Sequence, residues 1–319
     1  MSDLLVVSES PENLVLWRVS SGGAAEVATV DVTAGFHVAV HPTLPYAYLT
    51  SGADGGSVVS VGLAGDDKGA TARVTGVGGF PCHVAVSPDA ALLATANYVG
   101  GTVSFIDLTD GVPTQVRSVV PLPFDAPGPD ERQDACHPHM AFWRGSLLLV
   151  PDLGTDTIWT VDPASGAVSA AYQCPAGSGP RHVAADPGGR LWVALELTSE
   201  VGLLEPPPTR TAASASTVSE ERSYPGDLVA AGRWIAMANR GDDTIGLYDG
   251  RGDAPRLVAD VPCGGVWPTA LASDGQTLAV THRDSDSVAL FPVTGEGLGD
   301  PVLVGCIRPI AVAVLPKGI

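Results

Sequence analysis

Histidine and arginine side chains recur at matching positions along this 319-residue chain, and together they could bind an anion and transfer a proton. Imidazole is the side chain whose ordinary pKa lies near neutrality, and guanidinium binds carboxylate or phosphate through forked hydrogen bonds. Arg181, Arg240 and Arg283 are hard to explain as structural residues, because neighbouring guanidinium groups repel one another unless each is paired. Two interpretations stay open: the arginines receive an anionic ligand, or they pair with carboxylates of the chain. The candidate carboxylates are Glu196, Asp152 and Glu9.

A second group of candidates lies in the polar segment 128–139, GPDERQDACHPH. It contains Arg132, Gln133 and the triplet His137-Pro138-His139. We expect His139 to be functional because this segment departs from the repeat that the rest of the chain follows. His137 is the less favoured of the two histidines.

Six copies of one pattern follow one another, each with three short apolar strands separated by turns rich in Gly, Asp and Pro. The copies cover residues 36–63, 81–108, 137–162, 180–205, 225–249 and 268–291. A seventh copy is split, with its first strand at 310–316 and its next two strands at the N-terminus. Repeats of this length indicate a propeller or a solenoid, and the split copy favours a propeller, because strands from both termini can close a ring within one blade. We therefore expect an all-β, seven-bladed β-propeller that occupies residues 1–319 as a single domain.

Outer strands are expected between the copies, where the sequence is less apolar. Three clear examples are residues 70–77, 114–122 and 255–262. No helix of consequence is expected.

The start of each first strand and the end of each second strand lie at the same edge of a blade, so the residues there should share one face. The starts are His37, His83, His139, Arg181-His182 and Asp227. The ends include Ser51, Asn97, Asp152, Glu196, Asn239-Arg240 and His282-Arg283. Polar groups that converge on a concave face predict a ligand site.

A structural role is the alternative for several of these residues. His37, His83 and His182 could each bond the backbone of a neighbouring blade, because repeats propagate structural roles readily. Side chains of Asn and Asp often bond their own backbone in turns. We expect that role for Asn97, Asp152, Asp156, Asp242, Asp243 and Asp286.

Composition excludes several partners. The net charge of −18 opposes binding to nucleic acid or to an anionic membrane surface. No apolar run reaches the length of a membrane span, the first residues lack the features of a signal peptide, and five cysteines, an odd number, fit reduced thiols. We expect a cytoplasmic protein, a monomer or weak dimer, whose partner is a small anionic molecule.

A metal site is the rival to an organic anion, because four histidines lie near the predicted channel. However, no two Cys or His residues have the close paired spacing of a zinc site, and the cysteines fit core positions near the first strands. Phosphate-binding loops, dinucleotide fingerprints and serine nucleophile elbows are absent from the sequence. We expect no metal and no cofactor.

The segments GPDERQDACHPHMAF and VPDLGTDTIWTV resemble the signature region of the seven-bladed lactonase family. That family includes bacterial propeller-type 6-phosphogluconolactonases and the fungal 3-carboxy-cis,cis-muconate lactonising enzyme. GPRHVAADPGGRLWVALELTSEV and MANRGDDTIGLYD are similar to its following blades, so the resemblance covers essentially the whole chain. One departure is Pro268-Thr269-Ala270, where the family often reads Pro-Arg-Gly, and an anion contact is expected to be missing there.

The resemblance implies a catalytic group made of one histidine, two arginines and one glutamate. The matching residues are His139, Arg181, Glu196 and Arg240. It implies hydrolysis of a sugar-phosphate or carboxylated lactone at the channel mouth, in which the arginines hold the anionic group and His139 or Glu196 activates water. The remaining candidates are assigned to substrate binding: His137, His182, Arg283, Asn239, Arg132 and Gln133.

Other functions stay open. The same residues could catalyse cycloisomerisation of a carboxymuconate, with the arginines on carboxylates and His or Glu moving the proton. A non-catalytic binding propeller is a third possibility, suggested by the repeat ATANYVGGTVSFIDL. A calcium-dependent six-bladed gluconolactonase is disfavoured by the blade number and the arginine-rich face.

Overall fold

The computed structural model describes residues 2–53, 55–205, 209–216 and 223–319. Within these residues the chain forms 28 strands, arranged as seven antiparallel sheets of four strands each, and one short 3-10 helix, Gly65–Asp67. None of the described helical segments is long and apolar enough to span a membrane. The predicted all-β architecture with seven four-stranded units is confirmed.

Sheet I contains strands from both ends of the chain. Its members are β1 (Leu4–Glu9), β2 (Leu14–Ser20), β3 (Gly23–Val30) and β28 (Pro309–Val314). β28 lies at one edge and pairs with β1, so that Leu4 is opposite Val314. The closure of one blade by strands from the two termini is therefore as the split repeat predicts.

The other six sheets each use four consecutive strands. Sheets II, III and IV comprise β4 (Gly35–Val40), β5 (Tyr46–Ser51), β6 (Ser57–Gly62) and β7 (Thr71–Thr75); β8 (Pro81–Val86), β9 (Leu92–Asn97), β10 (Thr102–Thr109) and β11 (Val112–Pro121); β12 (Phe142–Arg144), β13 (Leu147–Asp152), β14 (Thr157–Val161) and β15 (Val168–Gln173). Sheets V, VI and VII comprise β16 (Pro180–Ala185), β17 (Leu191–Leu195), β18 (Glu200–Leu203) and β19 (Arg210–Ala213); β20 (Tyr224–Ala231), β21 (Trp234–Arg240), β22 (Thr244–Asp249) and β23 (Leu257–Pro262); β24 (Pro268–Ser273), β25 (Thr277–His282), β26 (Ser287–Pro292) and β27 (Val302–Gly305). The three outer strands named from the sequence correspond to β7, β11 and β23.

The described residues group into two compact units. Unit 1 comprises Met1–Ser8, Arg18–Ala25 and Ser178–Val314, and unit 2 comprises Glu9–Trp17, Glu26–Gly177 and Leu315–Ile319. The expectation of a single domain over residues 1–319 stays a prediction.

Inner strands bury the side chains of both their faces. Every residue of β9, β17 and β25 is buried. In unit 2, Phe105 of sheet III and Leu148 of sheet IV share one apolar cluster. In unit 1, Trp192 of sheet V packs with Tyr248 of sheet VI, with ring centroids 6.1 Å apart. Full burial of each such side chain stabilises the fold by about 1.5–3 kcal/mol before chain entropy is counted.

A β-bulge recurs just after the start of the first strand in five of the sheets described. In sheet V, Pro180 is opposite Leu195 but Val183 is opposite Val193, so Arg181-His182 form the bulge. In sheet VI the bulge lies between Pro225 and Leu228. Sheets II, III and VII show the same shift. A bulge turns side chains away from the regular alternation of a strand, and here it redirects the polar residues that the sequence places at the strand starts.

Sheet IV differs from this pattern. Its first strand, β12, has only three residues and begins at Phe142, whereas the repeat predicts a strand that begins at the His137-Pro138-His139 triplet. Pro138 makes only an isolated bridge to Asp152, and the His139 N–H donates to the carbonyl of Pro151 at 3.0 Å. Proline has no N–H to extend a ladder, so the triplet forms a lead-in to the strand.

Candidate active site

Two arginines of unit 1 share one carboxylate oxygen. Oε2 of Glu196 lies 2.8 Å from Nε of Arg181 and 2.8 Å from Nη2 of Arg240. The exposed fraction of the side chain is 7% for Glu196, 12% for Arg181 and 15% for Arg240. Of the two interpretations left open by the sequence, the structure shows the pairing of arginines with a carboxylate, because Arg181 and Arg240 both contact Glu196. Asp152 has a different role: its carboxylate accepts the N–H groups of His137 and Gly154 and the indole N–H of Trp159.

Arg181 keeps unused hydrogen-bonding capacity. Its Nη1 donates to the carbonyl of Gly226 at 2.7 Å, and its Nε–H is not aligned with Glu196, so that contact is electrostatic. A guanidinium group has five N–H bonds, and among the described residues only the one at Gly226 is satisfied. Arg240 is held more fully, since its Nε also donates to the carbonyl of Tyr224 at 3.0 Å. A buried, incompletely bonded guanidinium group favours binding of an acceptor-rich anion.

A buried histidine–aspartate pair lies on two of the β-bulges described above, with His182 in the bulge of sheet V and Asp227 in that of sheet VI. Nδ1 of His182 is 2.7 Å from Oδ1 of Asp227, and both side chains are almost fully buried. Asp227 also accepts the backbone N–H of Leu228 at Oδ1 and that of Leu271 at Oδ2, each at 2.8 Å. His182 adjoins Arg181 in the chain, so the pair and the arginine–glutamate cluster belong to one polar group in unit 1.

Burial and charge act in opposite directions on this pair. Burial lowers the pKa of His182; the charge of Asp227 opposes that effect, and the charges of Arg181 and Arg240 add to it. Burial by itself raises the pKa of Asp227, but His182, the N–H of Leu271 and Arg181 outweigh burial and hold the pKa below its usual range. These two pKa shifts favour a neutral His182 imidazole beside an ionised Asp227 carboxylate at neutral pH.

Trp267 lies beside two guanidinium groups. Its ring centroid is 5.9 Å from Cζ of Arg240 and 5.2 Å from Cζ of Arg283. The ring of Tyr224 is 6.5 Å away. Arg283 is about one-third exposed and forms an ion pair with Asp284 at 2.7 Å. An aromatic face flanked by arginines can receive a sugar ring that bears an anionic group.

The backbone of Trp267 is held in the left-handed region, with φ at 59°, which is uncommon for a bulky residue. Its N–H donates to Oδ1 of Asp243 at 2.8 Å, and its carbonyl accepts the N–H of Arg283 at 3.3 Å. Phe80 has the same φ of 59° at the equivalent place before β8. The conformation therefore belongs to the repeat, and what is particular to Trp267 is its pair of arginine neighbours.

Four of the predicted site residues lie in unit 2. The His137 ring stacks on Tyr98 with centroids 4.5 Å apart, and its Nε2 is 2.9 Å from Asp134. His139 meets Tyr98 edge-on, and its Nδ1 is 3.9 Å from Sγ of Cys82.

Arg132 and Gln133, the other two, lie in the same polar segment. The side chain of Arg132 reaches Asp130 at 3.8 Å. Gln133 has no exposed surface, and its amide donates to the carbonyl of Leu153 and to Oδ1 of Asp156. The structure therefore gives Gln133 a role in holding the loop, and we do not carry it forward as a ligand contact.

Asn239 is likewise structural in its environment. It is fully buried, and its amide donates to the carbonyl of Ser214 at 2.8 Å and to the hydroxyl of Thr244 at 3.1 Å. Asn97 bonds the carbonyl of Val77 in the same way, and His282 lies 2.9 Å from the carbonyl of Cys263. The ends of these second strands therefore fasten neighbouring backbone, and Asn239 presents no surface to a ligand.

The aspartates of the turns that follow the second strands bond a different partner from the one expected. Asp156, Asp243 and Asp286 have φ of 54°, 55° and 50°. Their carboxylates accept N–H groups of the segment that leads to the next sheet, at Gly177, Trp267 and Arg308. They are turn residues, as expected, but the side chains fasten the following connection rather than their own turn.

Sequence reasoning placed Asp227 on the candidate face but gave it no role in the site, and it did not select Trp267 or Tyr224. A signal was present for Asp227, because it is an aspartate at the strand-start position that His37, His83 and His182 occupy in other copies. Among the described residues no cluster of three or more His, Cys, Asp or Glu has the arrangement of a metal site.

The chain matches a known family. A family sequence profile described as "Lactonase, 7-bladed beta-propeller" matches residues 25–298. The chain belongs to the seven-bladed β-propeller lactonase family, and its seven sheets are the blades.

Individual relatives are similar to this chain over part of its length. The 6-phosphogluconolactonase of Bacillus subtilis (strain 168) is 28% identical over 234 residues, which are 67% of this chain and 66% of that protein. An uncharacterised protein of Staphylococcus aureus (strain bovine RF122 / ET3-1) is 27% identical over 229 residues, 66% of each chain. The matches span about two thirds of the length of these relatives.

Solved structures share the fold at lower identity. The periplasmic gluconolactonase PpgL of Pseudomonas aeruginosa matches with a TM-score of 0.81 and 20% identity over 98% of both chains. A protein from Lactobacillus plantarum matches with a TM-score of 0.84 and 19% identity over 98% of this chain and 99% of that one.

Proposed function

We propose that the chain hydrolyses a lactone that carries an anionic group, either a phosphate or a carboxylate. The observation that carries this proposal is the guanidinium group of Arg181, which is buried beside Glu196 and makes one hydrogen bond to described residues. The family and the 6-phosphogluconolactonase relative support lactone chemistry. Sugar-phosphate lactones are the first substrates to test.

Arg181 and Arg240 bind the anionic group or the carbonyl oxygen of the substrate in this proposal. Glu196 keeps the two guanidinium groups together through its shared oxygen. When water attacks the lactone carbonyl, negative charge develops on that oxygen, and a guanidinium N–H placed nearby stabilises it more than the ground state. Trp267 supplies an apolar face for the ring, and Arg283 a further positive charge at its edge.

A histidine accepts the proton of the attacking water. The resemblance nominates His139, and the structure adds His182 with its aspartate partner. Glu196 is assigned to orienting the arginines, because both guanidinium groups contact its Oε2.

The test is a comparison of charged and uncharged lactones with matched variants. Wild-type protein, Arg181→Gln and Arg117→Gln are assayed on 6-phosphogluconolactone and on glucono-lactone, with spontaneous hydrolysis subtracted. Arg117 pairs with Asp107 in unit 2 and is about half exposed, so its variant has the same change in net charge outside the site.

Arg181→Gln should lower kcat/KM on the phosphorylated lactone by at least about 10²-fold, the scale of one lost charged hydrogen-bond set. The loss on the uncharged lactone should be smaller, and Arg117→Gln should behave as wild type. Equal losses on both substrates would remove anion binding from Arg181. Turnover of a carboxymuconate without any lactone turnover would assign the cycloisomerase reaction, and an anion-dependent rise in Tm without turnover of either would assign a binding module.

A further inference from the structure

Two histidines of unit 2 show what the recurring histidine does when it is structural. Nδ1 of His37 accepts the backbone N–H of Val84 at 3.4 Å, and Nδ1 of His83 accepts that of Ala141 at 3.4 Å. The two rings stack with centroids 3.7 Å apart. In both, Nδ1 is an acceptor, so it carries no proton in the neutral ring.

Asp227 performs the same backbone task in unit 1. It stands at the corresponding position of β20, and its Oδ2 accepts the N–H of Leu271 at 2.8 Å. Leu271 is the third residue after Pro268 at the start of β24, just as Val84 is the third after Pro81 at the start of β8. A carboxylate has two oxygens, so Asp227 can fasten the next strand with one and bond His182 with the other.

His182 therefore differs from its counterparts in the environment of Nδ1. Its Nδ1 faces Oδ1 of Asp227 at 2.7 Å, and an ionised carboxylate can only accept. The hydrogen-bond pattern assigns the proton of the neutral ring to Nδ1 and the lone pair to Nε2. This is the orientation that a carboxylate gives to a histidine that acts as a base.

Charged groups that act on the His182 ring include Asp227 on β20, Arg181 on its own strand and Arg240 on β21. Burial is the largest influence, and it lowers the pKa of His182. The ring is therefore held in its neutral form at neutral pH. Arg181 and Arg240 are also the two arginines to which the proposed function assigns the substrate anion.

We infer that His182 is the general base of the lactone hydrolysis proposed above and that Asp227 is its positioning residue; this inference rests on that proposed function. Nε2 of His182 takes a proton from water as the water oxygen bonds to the lactone carbonyl carbon. The bond between that carbon and the ring oxygen then breaks, and the imidazolium returns the proton to the departing alkoxide. Water is consumed, a hydroxy acid is formed, and Asp227 stays ionised throughout.

The decisive variant is Asp227→Asn, studied with His83→Asn as matched control and His139→Asn as competitor. The amide of Asp227→Asn retains an oxygen for the N–H of Leu271, but its NH₂ group faces Nδ1 of His182 and favours the opposite tautomer. His83→Asn changes a histidine at the same repeat position, where an amide oxygen can still accept the N–H of Ala141. Each variant is measured for kcat, KM, Tm and the pH profile of kcat/KM on the best lactone substrate.

Asp227→Asn should lower kcat by at least about 10²-fold, the usual contribution of an oriented general base, with KM changed by less than about 3-fold. The acid limb of its pH profile of kcat/KM should move to lower pH, because the carboxylate that favours the imidazolium form of His182 has been removed. His83→Asn should retain the wild-type kcat and the wild-type acid limb of the pH profile. A purely structural role for Asp227 would lower Tm but leave both the limb and the turnover per folded molecule unchanged, and that result would overturn the inference.

A second variant covers the case in which Asp227→Asn does not fold. Asp227→His restores the histidine of the other copies, which can accept the N–H of Leu271 through Nδ1 but removes the carboxylate. It should show the same loss of kcat. If wild-type protein turns over a lactone and the large loss appears in His139→Asn but in neither Asp227 variant, the base is His139 and this inference fails while the proposed function stands. If the wild-type protein turns over no lactone, both fail.

Discussion

Nη2 of Arg240 donates a 2.8 Å hydrogen bond to the Glu196 oxygen that Arg181 also contacts. All three side chains are largely buried. Glu196 is thus the group that allows two guanidinium groups to lie close together away from water. Removing one member of a buried ion pair leaves an uncompensated charge, which costs more than the pair itself contributes.

Glu196→Gln should therefore destabilise the protein by about 3 kcal/mol. The free energy of unfolding, from urea titration, measures the loss. Inorganic phosphate should raise the Tm of Glu196→Gln more than that of wild type, because the anion replaces the lost negative charge. Equal phosphate effects in both proteins would show that the two arginines do not form an anion site.

Trp267 should determine how tightly the lactone ring is held. Trp267→Ala is expected to raise KM about 10-fold, which corresponds to about 1.4 kcal/mol of lost aromatic contact, with kcat changed less than about 3-fold. The KM of Trp267→Phe should lie between those of the wild-type protein and Trp267→Ala. Phe80→Ala is the matched control, because Phe80 has the same backbone conformation and packs on Phe36 with ring centroids 4.2 Å apart. A KM for Trp267→Ala equal to that of wild type would remove the ring from the substrate site.

Buried histidines should make stability increase with pH around 6.5. Burial lowers the pKa of His282 from 6.5, and it does the same for His182 and His41. The unfolded chain then binds more protons than the native protein below pH 6.5, so the free energy of unfolding falls as pH drops. Each histidine contributes up to about 1.4 kcal/mol per pH unit in that window.

His282→Asn tests this with a substitution that the repeat itself suggests. Asn97 and Asn239 hold the equivalent carbonyls in other blades, so asparagine can take over the bond to Cys263 while removing the titrating group. Urea unfolding at pH 5.5 and 7.5 should show a smaller difference in the variant. An unchanged difference would mean that His282 does not contribute to it.

The five cysteines should be unreactive while the protein is folded. All five carry thiols and are buried. Burial, with the charge of Asp152, raises the pKa of Cys136 to about 12, and burial, with the charge of Asp156, does the same for Cys174. Because the thiolate is the reactive form, a neutral alkylating reagent at pH 8 should modify the native protein much more slowly than the urea-unfolded chain. Fast modification without loss of structure would contradict this; mass spectrometry counts the modified sites.

The blades could be predicted from the sequence because a strand is specified locally. Short apolar runs of the right length, separated by Gly, Asp and Pro, define β8 to β10 without reference to distant residues. The split copy placed β28 beside β1, since a propeller repeat needs four strands and the termini hold the missing ones. The short β12 was harder to foresee, because it depends on how Pro138 meets Asp152.

The site could be predicted only in part. Residue type and repeat position were enough to select Arg181, Glu196 and Arg240, which the structure brings together. They were not enough to exclude Gln133 and Asn239, because a polar side chain at the same position can face a ligand or fasten buried backbone.

The amino-acid sequence by itself determined the repeating strands, the family and the polar residues that stand at the strand edges. Only the tertiary structure decided which polar groups are partners: His182 bonds Asp227, 45 residues further along the chain, whereas His83 bonds a backbone N–H. Strand formation depends on local spacing of apolar residues, but a hydrogen bond depends on distance and direction within a few tenths of an ångström. Those are set by the bulges and by the packing of neighbouring sheets, where residues far apart in the chain meet.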